Sequence, residues 1–141
     1  MATITHAREA VIQTLYALDM GNDKAIEQFD EILKDKKLKN QKAEFAKNLI
    51  NGILQNLDKI DTIIKEHLID WSFERLDKVD KQILRVGIYE LLYTDTPFQI
   101  VIDEAVKIAK NFSEDKAKSF INGILDRVAK EYKSHDGVVK K

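Results

Sequence analysis

Ile50-Asn51-Gly52-Ile53-Leu54 decides how this chain is read, because it returns letter for letter as Ile121-Asn122-Gly123-Ile124-Leu125. The likeness extends upstream without gaps, so that Glu44–Leu54 (EFAKNLINGIL) lies on Asp115–Leu125 (DKAKSFINGIL). Ala46 matches Ala117, Lys47 matches Lys118, and Leu49 stands where the second copy has Phe120. Two copies are too few for a solenoid, which needs about three. They imply two related halves, about 1–69 and 70–141, each closed by a helix that carries the motif.

The motif is helical by its spacing. Ala46, Leu49, Ile50, Ile53 and Leu57 recur at helical intervals, as do Ala117, Phe120, Ile121, Ile124 and Val128. A glycine inside a helix costs roughly 1 kcal/mol relative to alanine. Its return at the same place in both copies predicts a backbone that another helix approaches closely.

Composition narrows the function classes. At 141 residues the chain is long enough for one domain with a real core. Apolar residues make up 44% and charged residues 33%, the balance of a soluble globular protein. The absence of cysteine excludes disulfides, thiolate zinc sites and cysteine nucleophiles together. No apolar run approaches the roughly 18 residues of a membrane span, and Met1-Ala2-Thr3 opens no signal peptide. A cytoplasmic protein without membrane contact is expected. With a net charge of −1, any nucleic-acid partner must be held by a local basic patch.

One proline (Pro97), five glycines and abundant Leu, Ile, Lys, Glu and Ala predict an all-helical chain. Thr5 is placed to cap a first helix, with Val11, Leu15 and Leu18 on one face and Gly21-Asn22 ending it. A second helix, Lys24 to about Asp35, buries Ile26, Phe29 and Leu33. Lys36-Lys37-Leu38-Lys39-Asn40-Gln41-Lys42 reads as a basic, solvated linker, and a third helix runs from about Ala43 to Leu68. The aromatic-rich stretch Asp70–Leu76 holds one or two helical turns and joins the halves. Asp77 caps the next helix, Lys78 to about Tyr93, with Asp80 in a carboxylate version of the capping box. That helix is apolar over an arc wide enough for a central position. A helix from about Phe98 to Phe112 turns Val101, Ala105, Ile108 and Phe112 inward; Ser113 caps the last helix, and a frayed tail begins at Ser134-His135-Asp136-Gly137.

No catalytic chemistry emerges. His6, His67 and His135 are not at metal-ligand spacing, so no metal site is expected, and His67 reads as a helix-end residue. Gly52, Gly87 and Gly123 each stand alone inside a helix, which excludes a phosphate loop, and Asp103-Glu104 and Glu74 read as exposed or capping carboxylates. These observations favour a binding protein over an enzyme, with no cofactor. Helical geometry, at about 100° per residue, sets Ala117, Ile121, Ile124 and Val128 at the centre of the last helix's apolar face. Phe120 falls at its margin beside Lys116, Gly123 and Arg127. Core packing and base stacking both remain open for that ring.

Several stretches taken together resemble the NusB family of transcription antitermination factors. They are Ala7-Arg8-Glu9-Ala10 with Leu15-Tyr16-Ala17, Ile83-Leu84-Arg85 leading to Tyr89-Glu90-Leu91, Pro97 followed by Val101-Ile102-Asp103-Glu104-Ala105-Val106, and Phe120 to Asp126. The resemblance implies an all-α fold of two three-helix bundles packed together, with about six to seven helices. It implies pairing with NusE, a small-subunit ribosomal protein, to bind single-stranded boxA-type RNA within the RNA polymerase antitermination complex at ribosomal RNA operons. Residue by residue it points to Arg8, Tyr16, Glu74, Arg75, Asp80, Lys116 and Phe120 as the RNA and partner surface, with Phe120 then a stacking ring. Where some members carry an arginine-rich arm, this chain has Ala2-Thr3-Ile4-Thr5-His6, which implies weak RNA binding alone and stronger dependence on the partner. The competing reading is a helical interaction module or homodimer without RNA contact.

Overall fold

The computed structural model describes residues 2–69 and 72–132; Asp70 of the expected connection and the tail expected from Ser134 lie outside them. Among the described residues there are seven α-helices and no strand. They are α1 (Ile4–Asp19), α2 (Phe29–Asp35), α3 (Asn40–Gln55), α4 (Leu57–Glu66), α5 (Lys78–Tyr93), α6 (Phe98–Phe112) and α7 (Asp115–Tyr132). Two compact units result, Met1–Gln55 and Asn56–Lys141.

In the first unit α1 packs on α2 and α3. Its cap is Thr3, not Thr5. The Thr3 amide donates to His6 Nδ1 at 2.9 Å and the His6 amide to Thr3 Oγ1 at 3.3 Å, a capping box with histidine in place of the usual Glu or Gln. Ala7, Ala10, Val11 and Leu15 form the buried stripe. The helix ends as expected at Gly21, whose φ of +94° closes a Schellman motif: Asn22 N–H reaches Ala17 O and Gly21 N–H reaches Leu18 O. Turns occupy residues 23–28, so α2 is shorter than the pattern implies, and Ile26 is 42% exposed rather than buried. Ala25 fills the buried place instead.

The lysine-rich linker is more ordered than a solvated loop. α2 ends in a second Schellman motif, with Leu38 N–H on Leu33 O and Lys37 N–H on Lys34 O, both at 2.9 Å. Leu38 and Leu33 are both buried, the apolar pair this motif favours. Lys37 (φ 58°) sits where glycine is usual, and Asn40 (φ 55°) shares the left-handed region. For a lysine that conformation costs about 1–2 kcal/mol.

The expected long third helix is two helices. Asn56, at φ −119° and ψ 19°, interrupts the ladder and becomes the N-cap residue of α4. Neither glycine nor proline marks the break, and the apolar spacing of Ile53, Leu57 and Ile60 runs straight through it.

In the second unit α5 is central, packed on α4, α6 and α7, as its broad apolar arc requires. Asp77 Oδ1 accepts from the Val79 and Asp80 amides, and Pro97 precedes α6. The Asp80 carboxylate does not complete a box; it turns to Ser113. Ser113 is accordingly the C-cap of α6 rather than a cap for α7. Phe112, expected inward, is 56% exposed. Arg85 lies buried on α5 and makes a bidentate pair with Asp61 at 2.9 and 2.8 Å, its third nitrogen donating to Gln82 Oε1 at 3.0 Å. Removing one partner of such a pair strands a buried charge, at about 3–5 kcal/mol.

Gly87 of α5 is under close approach. A Cβ there would meet Leu125 Cδ1 and Cδ2 at 2.9 Å, and Leu125 is wholly buried. The motif glycine Gly123 is roomy by contrast, since a Cβ would meet only the Arg127 guanidinium at 3.7 Å. The tight crossing expected at Gly123 is therefore made by its neighbour Leu125 over Gly87.

Candidate functional site

The expected site residues fall in both units. In the first, Arg8 is only 5% exposed and its guanidinium carbon stands 5.2 Å from the centre of the Phe45 ring. That geometry suits a cation–π contact and removes much of the side chain from solvent. Tyr16 lies two turns further along α1 and is 38% exposed, with Met20 one turn beyond it also exposed. The two make an apolar step at the C-terminal end of α1.

In the second unit, Glu74 and Arg75 are exposed on a single 3-10 turn, Phe73–Arg75. Two lysines approach the Phe73 ring, Lys65 Nζ at 5.0 Å and Lys81 Nζ at 4.5 Å from the centroid. Neither lysine follows from sequence spacing alone, because one comes from α4 and the other from α5.

Asp80 ties this turn to the far end of the unit. Its carboxylate accepts the Ser113 hydroxyl at 2.6 Å, joining the first turn of α5 to the corner before α7. Burial raises the Asp80 carboxyl above its ordinary value, and the Asp77 and Glu114 charges add to the rise against the lowering effect of the Ser113 hydrogen bond. The bond links the start of α5, shortly after the Glu74–Arg75 turn ends at Leu76–Asp77, to the corner from which α7 departs.

Along α7, Lys116, Phe120, Gly123 and Arg127 follow one another down a single edge at i, i+4, i+7 and i+11. Lys116 and Arg127 are exposed, and Phe120 and Gly123 half-buried. Arg127 Nη2 donates to the His67 carbonyl at 3.0 Å, which holds the guanidinium in place. At this end an open pocket of about 360 Å³ is lined by Glu66, His67, Ile69, Arg127, Glu131 and Tyr132. His67 is a helix-end residue, as expected; its Nδ1 lies 2.7 Å from Ile63 O and its Nε2 3.1 Å from Glu131 Oε1. A half-exposed ring between two cations offers a face for an unpaired base and charge for its phosphates.

A profile of the NusB family matches residues 5–130. The chain belongs to the NusB family. The transcription antitermination protein NusB of a Nitratiruptor species is 48% identical over 134 residues, 95% of this chain and 96% of that protein. The NusB of a Sulfurovum species is 42% identical over 130 residues, 92% of this chain and all of that protein. Among solved structures, T. maritima NusB superposes with a TM-score of 0.87 at 37% identity, covering 97% of this chain and 98% of that one. A NusB crystallised with NusE and double-stranded RNA has a TM-score of 0.81 at 32% identity, covering 91% and 96%. The all-α fold expected of the NusB family is thus the fold found.

Proposed function

We propose that this chain binds RNA together with NusE, as a transcription antitermination factor. The reading rests above all on the α7 edge, where Phe120 is half-exposed along the helix between Lys116 and Arg127. A relative crystallised with NusE and RNA supports the same pairing. In this proposal Lys116 and Phe120 meet RNA, while Tyr16, Glu74 and Arg75 meet the protein partner. Arg8 and Asp80 act from inside the surface, Arg8 through Phe45 and Asp80 through Ser113. The family resemblance implies a single-stranded boxA-type element of ribosomal RNA operons, and stacking on Phe120 would use an unpaired base of it.

With few exposed cations at this edge, the chain alone should bind weakly and NusE should strengthen binding. A mobility shift with boxA-type RNA, single-stranded and annealed to its complement, with and without NusE, tests this. A complex with the single strand that NusE enhances supports the reading. No complex at low salt in the presence of NusE sinks it. A second reading, an interaction module or homodimer without RNA contact, draws on the exposed Tyr16 and Met20. Sedimentation of the chain alone decides that point.

A further inference from the structure

Between residues 34 and 42 five lysines stand with a single aspartate, in a chain whose net charge is −1. Lys36, Lys37 and Lys39 have no ion pair among the described residues, whereas Lys34 reaches Glu31 at 3.8 Å. The corner is not loose: the Schellman cap and buried Leu38 fix the backbone from which these side chains project.

Local stability would choose other residues here. Lys37 occupies a left-handed position that favours glycine. Lys39 sits at the N-terminal end of α3, where the helix dipole favours acids, and the first turn of α3 holds none; Lys42 nearby is held structurally, its ammonium donating to Ala2 O at 2.8 Å. Departures from local rules concentrate at functional positions. A cluster of lysines on a fixed turn, Lys37 and Lys39 exposed and Lys36 half-buried, set against local preference, points to an anionic partner. The charge is carried by lysine, a flexible point charge suited to phosphate contact without base reading. Leu38 is the only apolar residue of the stretch and is buried, so no apolar anchor is offered to a protein partner.

We infer that the α2–α3 corner, through Lys36, Lys37 and Lys39, contacts the RNA sugar–phosphate backbone outside the recognised element. This rests on the RNA-binding reading above and extends it to a surface that the family resemblance did not mark.

The test uses the full chain with NusE and two RNAs, the element alone and the element with unrelated nucleotides on both sides. The wild type should bind the flanked RNA more tightly and with a steeper salt dependence. The triple variant Lys36→Gln, Lys37→Gln, Lys39→Gln should melt like the wild type and bind the bare element equally well. On the flanked RNA its log–log salt slope should be shallower by up to about 2, at about 0.7 for each phosphate no longer neutralised. Lys37→Gly should raise the melting temperature yet weaken binding of the flanked RNA, a split that a purely structural lysine would not produce. The inference is overturned if triple variant and wild type gain equally from the flanks. It is overturned equally if the triple variant loses NusE in the absence of RNA, which would make the corner a protein contact. Failure of the wild type to bind even the bare element with NusE would instead bring down the reading beneath it.

Discussion

The two copies of the repeated motif share their letters but not their surroundings. Ala46, Ile50 and Ile53 on α3 are buried, and so are Ala117, Ile121 and Ile124 on α7. The flanking positions trade roles. Leu49 and Gly52 are buried in the first copy, while their counterparts Phe120 and Gly123 are half-exposed. Leu54 is half-exposed, while Leu125 is wholly buried. Projected along the helix, the buried arc of α7 is turned by roughly 50–70° from that of α3, somewhat less than one residue's step of about 100°. A repeated string therefore specifies a shared helical face and leaves its margins to the neighbours. The margin that is core in α3 became surface in α7, and that surface holds the proposed stacking ring.

The largest expected effect tests the turned arc directly. Leu125→Ala should destabilise by about 3–4 kcal/mol and Leu54→Ala by about 1 or less, since the cost of truncation follows burial. Equal losses in chemical denaturation would break the comparison. The margin itself is tested next. Phe120→Ala should cost about 1–3 kcal/mol of RNA affinity in the NusE complex, with a small shift in melting temperature. Leu49→Ala should instead cost about 2–3 kcal/mol of stability. Should Phe120→Ala melt far below the wild type and the folded fraction keep its RNA affinity, the ring is core. Gly123→Ala, which meets only Arg127 at van der Waals distance, should stabilise by about 0.5–1 kcal/mol through helix propensity. A melting temperature below the wild type would show a contact at that glycine after all.

The smallest effect is a pH dependence. A carboxyl whose folded pKa is raised binds protons more readily in the native state, so its stabilising contribution is complete below the ordinary carboxylate value and is lost as pH rises through the folded one. Asp80→Asn should thus melt at or slightly above the wild type at neutral pH, with the difference shrinking as pH falls. A variant markedly less stable at neutral pH would mean that the ionised carboxylate is the favoured partner of Ser113.

Much of the fold was legible in the chain. α5 and α6 begin and end at the expected residues because Asp77 and Pro97 are strong local signals, and Gly21-Asn22 ends α1 for the same reason. The break at Asn56 was not legible, since apolar periodicity continues across it without a breaker residue. Ile26 and Phe112 fit a helical stripe yet face solvent, because spacing cannot tell which edge of a stripe has a neighbour. Of the site, Tyr16, Glu74, Arg75 and Lys116 lie exposed as a surface requires. Arg8 does not: its partner Phe45 lies on another helix, invisible to local patterning. Asp80 fits a local cap by its spacing, and its bond to Ser113 spans a separation that no short motif encodes.

The contact between Gly87 and Leu125 has a consequence for inheritance. Where a helix rests a leucine on a bare stretch of backbone, neither position can readily change alone. A side chain at 87 requires a smaller residue at 125, and a larger residue at 125 finds no space to grow into. The pair should drift together or stay still. The letters that make the repeat recognisable would then be held by a glycine lying outside it.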